Sequence, residues 1–150
     1  QLLKENFLRW DSLGEFLALA ASLEHLGAKY KNSKALVLSK TLSQATGYSL
    51  DNNKSPSRKI GSIDNRGSHF YLALYWSQAI ANQTEDTALQ EKFDTLAVTL
   101  NSNEDLIIGE FNAVQGHPVC IGGYYAPDPE MASKVMRPSS TFNEAIAALN

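Results

Sequence analysis

The sequence predicts a mainly α chain, on three observations. Apolar residues recur at the i, i+3, i+4, i+7 spacing of a helix face through most of the length. Capping residues stand before these stripes and glycines after them. Prolines and glycines gather in one segment, HPVCIGGYYAPDP, which leaves only a short extended piece with turns near residues 117–129.

The first long helix is expected to start at Asp11 or Ser12, because Ser12 and Glu15 have the spacing of a capping box. Leu13, Phe16, Leu17, Ala20, Leu23 and Leu26 form its stripe, and Gly27 is the expected terminator. Ala18, Leu19 and Ala21 widen the stripe, which predicts burial on more than one side. A second helix is read over 33–46, with Ala35, Leu38, Leu42 and Ala45 on one face and Gly47 closing it. A cationic loop then leads into a third helix over 67–82. There Phe70, Ala73, Leu74 and Ile80 take one face, while Tyr71, Leu72, Tyr75, Trp76 and Ala79 cover much of the rest; a helix apolar all round belongs at the centre of a domain.

A fourth helix over 84–100 runs through Leu89, Phe93, Leu96, Ala97 and Leu100, with acids in its first turn, where the macrodipole favours them. Ser102 and Asp105 resemble the next cap, opening a helix through Ile107, Phe111 and Val114 that stops at Gly116. A short helix near 129–136 follows the Pro/Gly segment. The last is expected from Thr141, with Glu144 completing a capping box.

With 150 residues and 43% hydrophobic content, the chain can bury one core, so residues 1–150 are read as a single unit. A net charge of -3 argues against the broad cationic field of nucleic-acid binding, and any anionic partner should be small. The lone Cys120 cannot form an intrachain disulfide, which matches a reducing compartment. No apolar run approaches the roughly 20 residues of a membrane span. A soluble, cytoplasmic protein is the expectation, with no nucleic acid and no membrane as partner. The start at Gln1, directly into QLLKENFLRW, reads like a piece cut from something longer.

Candidate chemistry concentrates at two places. In NNKSPSRKIGSIDNRGS, Lys54, Arg58, Lys59 and Arg66 face a single acid, Asp64, on a loop rich in turn residues, as an anion-binding edge would. Arg9 sits just before a helix start, flanked by Trp10 and Asp11, where its guanidinium could fork onto a phosphate or stack on a ring. The plain alternatives are a salt bridge from Arg9 to Asp11 or Glu15 and a solvated surface charge at Arg58. His25, His69 and His117 lie on different elements without ligand spacing, so no metal site is expected. His25 is read as lying beside carbonyls near a helix end, His69 as a hydrogen-bonded packing residue and His117 as a loop residue. Cys120 is read as a small, half-buried hydrophobe. No nucleophile with an adjacent base and no GxGxxG or GxxxxGK[ST] cradle is present. A helical protein-interaction module without a cofactor role is the alternative these residues leave open; it predicts no effect of a nucleotide on stability.

Four stretches carry a resemblance: NFLRWDSLGEFLALAASLEHL, NNKSPSRKIGSIDNRGSHFYLALYWSQA, IGGYYAPDP and KVMRPSSTFN. In this order, and over nearly the whole chain, they are similar to the carboxyl-terminal portion of the monomeric NADP-dependent isocitrate dehydrogenases, the large single-chain bacterial type. The resemblance implies the helical share of a larger NADP-binding α/β domain. It also implies a parent enzyme of the tricarboxylic acid cycle that converts isocitrate and NADP+ to 2-oxoglutarate, carbon dioxide and NADPH with Mg2+ or Mn2+. The family's cofactor-contacting arginine and aspartate in RWD fall on Arg9 and Asp11, and its later arginine in SPSRK falls on Arg58. In the family the arginines recognise the 2′-phosphate that separates NADP from NAD. Such a phosphate carries close to two negative charges, and charge-assisted bonds to two guanidiniums would favour NADP by about 2–4 kcal/mol. Asp11 would accept from a ribose or adenine donor, or orient Arg9. No contact is implied for Lys54, Lys59 or Arg66.

The family's metal-binding carboxylates, its substrate-binding arginines and serine, and its catalytic lysine and tyrosine belong to segments outside this sequence. No catalytic or metal residue is therefore expected here, and the chain alone should be inactive. Its partners would be NADP, isocitrate and the remainder of the same polypeptide, in a monomeric parent. Helix faces shaped for that remainder would leave apolar surface exposed. Self-association of the isolated chain is the expected outcome; a strict monomer at high concentration in light scattering would refute it.

Overall fold

The computed structural model describes residues 1–149 and, among them, eight helices and no strand. In chain order these are α1 (Leu2–Glu5), α2 (Leu13–Tyr30), α3 (Ser33–Asp51), α4 (Asn65–Asn82), α5 (Thr87–Ser102), α6 (Glu104–Ala113), α7 (Pro129–Met136) and α8 (Ser140–Ala147). The chain is mainly α, as its apolar periodicity predicts.

α4 lies between two groups of helices. On one side the α2–α3 hairpin closes over Phe16, Ala20, Leu42, Ala45 and Leu72, with Trp76 partly buried against them. On the other side α5, α6 and α8 pack around Phe70, Tyr71, Leu74, Leu96, Leu100, Ile107 and Phe111. Both faces of α4 are therefore used, and its all-round apolar sequence is the cause. Two polar contacts cross these interfaces: Trp76 Nε1 donates to Thr41 Oγ1 at 3.0 Å, and Ser39 Oγ donates to the Ala20 carbonyl at 2.7 Å. Tyr71 is buried, donates its hydroxyl to Glu104 at 2.8 Å, and carries Lys54 Nζ over its ring at 3.9 Å.

The amino end of α4 is the polar knot of the molecule. Asp64 caps the helix, its Oδ1 accepting from the amides of Arg66 at 3.0 Å and Gly67 at 3.2 Å. Its Oδ2 accepts from the guanidinium of Arg66 at 2.7 and 2.8 Å. Both residues are buried, with Asp64 fully enclosed and Arg66 only 3% exposed. The rest of the guanidinium donates to Asn6 Oδ1 and the Asn6 carbonyl, each at 2.8 Å, and to the Val135 carbonyl at 2.7 Å. Asn6 reaches this position in the left-handed region, at φ 43°. One side chain thus joins the amino terminus, α4 and the end of α7.

The remaining connections follow the same logic. Asn65 donates its backbone amide to the Leu8 carbonyl at 2.9 Å, and its side chain donates to the Trp10 carbonyl and to Ser12 Oγ. The Pro/Gly segment is irregular, as expected; at its start Gly116 and Val119 donate to the carbonyls of Glu5 and Leu3. Glu110 on α6 accepts from the hydroxyls of Ser139, Ser140 and Thr141, tying down the start of α8.

Several expected boundaries move. Gly27 does not end α2, which continues to Tyr30 and is closed by Lys31 at φ 52°. Gly27 instead lets α3 approach, since a Cβ there would lie 2.5 Å from Leu36 Cδ2. Gly47 sits inside α3, which runs on to Asp51. The Ser12–Glu15 box is absent because Asn65 engages the Ser12 hydroxyl, and Asp11 Oδ1 accepts from the Leu13 amide instead. α2 buries only Phe16, Ala20 and Gly27, so Leu17, Leu19 and Leu26 face outward rather than into a second contact. For α5 the acids precede the first turn, and Asp86 is the cap, accepting from the Leu89 amide at 2.9 Å. Ser102 ends α5 rather than capping α6, whose cap position is Asn103. Ser139, not Thr141, caps α8, accepting from the Phe142 amide at 3.0 Å.

Two outcomes follow from this packing. Asp64→Asn removes the carboxylate that neutralises a buried guanidinium, and should cost about 3–5 kcal/mol in denaturant unfolding. Burial, then the hydrogen bond to Glu104, holds the Tyr71 hydroxyl well above its ordinary value of about 10. A raised folded value means that this stabilising contribution is whole below pH about 10 and declines as pH rises above it. The thermal midpoint should therefore fall on the alkaline side, and Tyr71→Phe should make that fall shallower.

Candidate functional site

The segment that bears Arg9 is held from both sides. Phe7 is fully buried, Leu8 and Trp10 accept from Asn65, and Asn6 is bound by Arg66. Arg9 therefore leaves a fixed backbone without itself being buried.

The loop that bears Arg58 is fixed by its own hydroxyls and by one distant amide. Ser57 donates its amide to the Ile63 carbonyl at 2.7 Å, and its Oγ accepts from the Lys59 amide at 3.0 Å and from the Ser62 hydroxyl at 2.8 Å. Gln115 Oε1 accepts from the Gly61 amide at 2.7 Å while its Nε2 donates to the Ser62 carbonyl at 3.1 Å. Gly61 stands at φ +84°, a conformation that glycine adopts at no steric cost.

Arg9 and Arg58, 49 positions apart, meet here. Arg9 Nε donates to the Arg58 carbonyl at 3.0 Å, and Arg9 Nη1 forms an ion pair with Glu5 Oε2 at 2.5 Å. The Arg9 guanidinium carbon lies 5.0 Å from the centre of the Phe7 ring. The salt bridge expected to Asp11 or Glu15 is thus made to Glu5 instead. Asp11 is exposed and does not orient Arg9; one of its oxygens serves the Leu13 amide. Among the described residues, Arg9 Nη2 and the guanidinium of the exposed Arg58 have no hydrogen-bond or ion-pair partner. These are the donors a phosphate group requires, so the residues fit the phosphate-bearing end of a nucleotide.

The other cations of the loop separate. Arg66 is buried in its pair with Asp64 and is not part of the exposed edge. Lys54 lies over the Tyr71 ring. Lys59 is exposed beside Arg58.

His69 behaves as read: its Nδ1 lies 2.8 Å from the Asn65 carbonyl, and its ring meets Phe16 edge-on. His25 is exposed and well inside α2 rather than at its end, because the helix continues to Tyr30. Cys120 is exposed rather than half-buried. Among the described residues no three His, Cys, Asp or Glu side chains gather where they could hold a metal ion, so no metal chemistry is derived from this chain. No described helix is long and apolar enough to cross a membrane. Sequence reasoning missed Glu5 and Gln115. Glu5 had one readable signal, its spacing four residues before Arg9; Gln115 had none.

Comparison with known proteins supplies the family. The profile described as monomeric isocitrate dehydrogenase matches residues 1–147. The NADP isocitrate dehydrogenase of Azotobacter vinelandii is 66% identical over 149 residues, which is 99% of this chain and 20% of that protein. A Mycobacterium tuberculosis protein named NADP isocitrate dehydrogenase 2 is 60% identical over the same shares, and a Psychrobacter protein of the same name is 55% identical over 100% of this chain and 20% of its own length. The chain thus spans about a fifth of the length of the curated relatives it matches. Matched along nearly its full length by the profile and by these relatives, the chain belongs to the monomeric isocitrate dehydrogenase family.

Proposed function

We propose that this chain is the cofactor-binding, carboxyl-terminal part of an NADP-dependent isocitrate dehydrogenase, and that Arg9 and Arg58 grip the 2′-phosphate of NADP. The observation that carries the reading is the hydrogen bond from Arg9 Nε to the Arg58 carbonyl, which brings together two cations with unspent donors. The relatives' names supply the cofactor and the reaction. The reaction would be oxidative decarboxylation of isocitrate to 2-oxoglutarate and carbon dioxide, in the cytoplasm.

Within that reaction NADP supplies the hydride-accepting ring, and this chain acts at the opposite, phosphate-bearing end. Arg9 offers Nη2 on a guanidinium held along two edges, and Arg58 offers its whole fork from a loop whose backbone is fixed. Charge-assisted bonds of this kind distinguish a phosphate from the bare hydroxyl of NAD. Asp11 retains an oxygen to accept from a ribose or adenine donor. Mg2+ or Mn2+ would be held by residues elsewhere in the polypeptide, as would isocitrate, and the chain alone would be inactive.

Arg58→Ala is an unusually clean test, because the carbonyl that orients Arg9 survives the substitution. In the full-length enzyme it should raise KM for NADP about tenfold while changing KM for isocitrate much less. NADP should also raise the thermal midpoint of the parent more than NAD does, with the difference shrinking in the variant. Unchanged NADP kinetics would overturn the assignment.

A further inference from the structure

We infer that Glu5 is a positioning residue of the phosphate site, setting which donors of Arg9 a ligand meets; this rests on the 2′-phosphate reading above. A free arginine presents a side-on fork, Nε with Nη2, and an end-on fork, Nη1 with Nη2. Here the Arg58 carbonyl occupies Nε and the Glu5 carboxylate occupies Nη1. The side-on fork therefore has its Nε prong filled, Nη1 is shared with Glu5, and Nη2 is common to both forks. The Phe7 ring below limits the tilt of the guanidinium plane.

Glu5 is itself held for this task. It ends α1, and its carbonyl accepts from the Gly116 amide at 2.7 Å, while the next residue, Asn6, is bound through side chain and carbonyl by the buried Arg66. The carboxylate is partly exposed, with 38% of its side-chain surface accessible, so as an isolated ion pair it stabilises the fold little. Orientation of Arg9 is what its geometry provides.

A carboxylate beside a phosphate site also has an opposing effect, since its charge repels the ligand. Two substitutions separate the effects. Glu5→Gln and Glu5→Ala both remove the charge, but only Gln keeps an oxygen that can accept from Nη1. The probe is adenosine 2′,5′-bisphosphate, with 5′-AMP as the control lacking the 2′-phosphate, and the readout is the dissociation constant by calorimetry on the full-length enzyme.

Glu5→Gln should bind the bisphosphate at least as tightly as the parent. Glu5→Ala should bind it about two- to fivefold more weakly than Glu5→Gln, with 5′-AMP affinity and thermal midpoint alike in the two variants. If both variants bind the bisphosphate equally, Glu5 positions nothing and the inference falls. Arg58→Ala in the same assay keeps the two levels apart. A loss there with no Ala–Gln difference at Glu5 overturns only the positioning role, whereas no loss at Arg58 overturns the phosphate reading and the Glu5 role with it.

Discussion

The guanidinium of Arg66 is the interaction on which the rest of this molecule depends. A buried positive charge is tolerated only when its donors are satisfied and its charge is matched. Asp64 does the matching, but it also caps α4, so the ion pair cannot be separated from the start of the central helix. The donors left over are met by the carbonyl and amide oxygens of Asn6 and the carbonyl of Val135. An ion pair of this kind adds little net stability against a well-packed apolar replacement; what its hydrogen bonds do here is join three segments at one point.

The site inherits its order from that arrangement. Asn6, Leu8, Trp10 and Ser12 are each bound to the first turn of α4, which leaves Arg9 little freedom except in its own side chain. The Arg58 loop is tied to Gln115, just beyond α6, and Gly116 is tied back to Glu5. Glu5 and Arg9 thus stand on one backbone segment and Arg58 on another, each bonded to α4 or to the Gln115–Gly116 turn. A rigid frame beneath long, partly exposed side chains suits the phosphate site proposed above, because little ordering of the backbone would be required on binding.

Most of the helices were legible because helix formation here follows local rules: the stripes of α3, α4 and α5 read through, and α7 was bounded by its proline at the start. Several misreadings come from contacts made across the chain. Glycine stops a helix when a left-handed residue is needed there, but Gly27 serves the close approach of Leu36, and the left-handed turn is taken by Lys31. Ser12 has the spacing of a cap, yet its hydroxyl is claimed by Asn65, 53 positions away. Four cations near one acid read as a surface edge, and nothing local says that Arg66 turns inward to that acid. Arg9 and Arg58 were each visible as candidates, and the family resemblance joined them; their juxtaposition through a backbone carbonyl was not visible from spacing.

The hub also carries the entropic cost of closing long loops. The α2–α3 hairpin needs only neighbours in sequence, whereas Arg66 must find Asn6 at a separation of 60 positions and Val135 at 69. Contacts that close long loops form against a larger entropic barrier than local ones. The cation edge built on that knot therefore rests on contacts whose loop-closure cost exceeds that of the hairpin beside it.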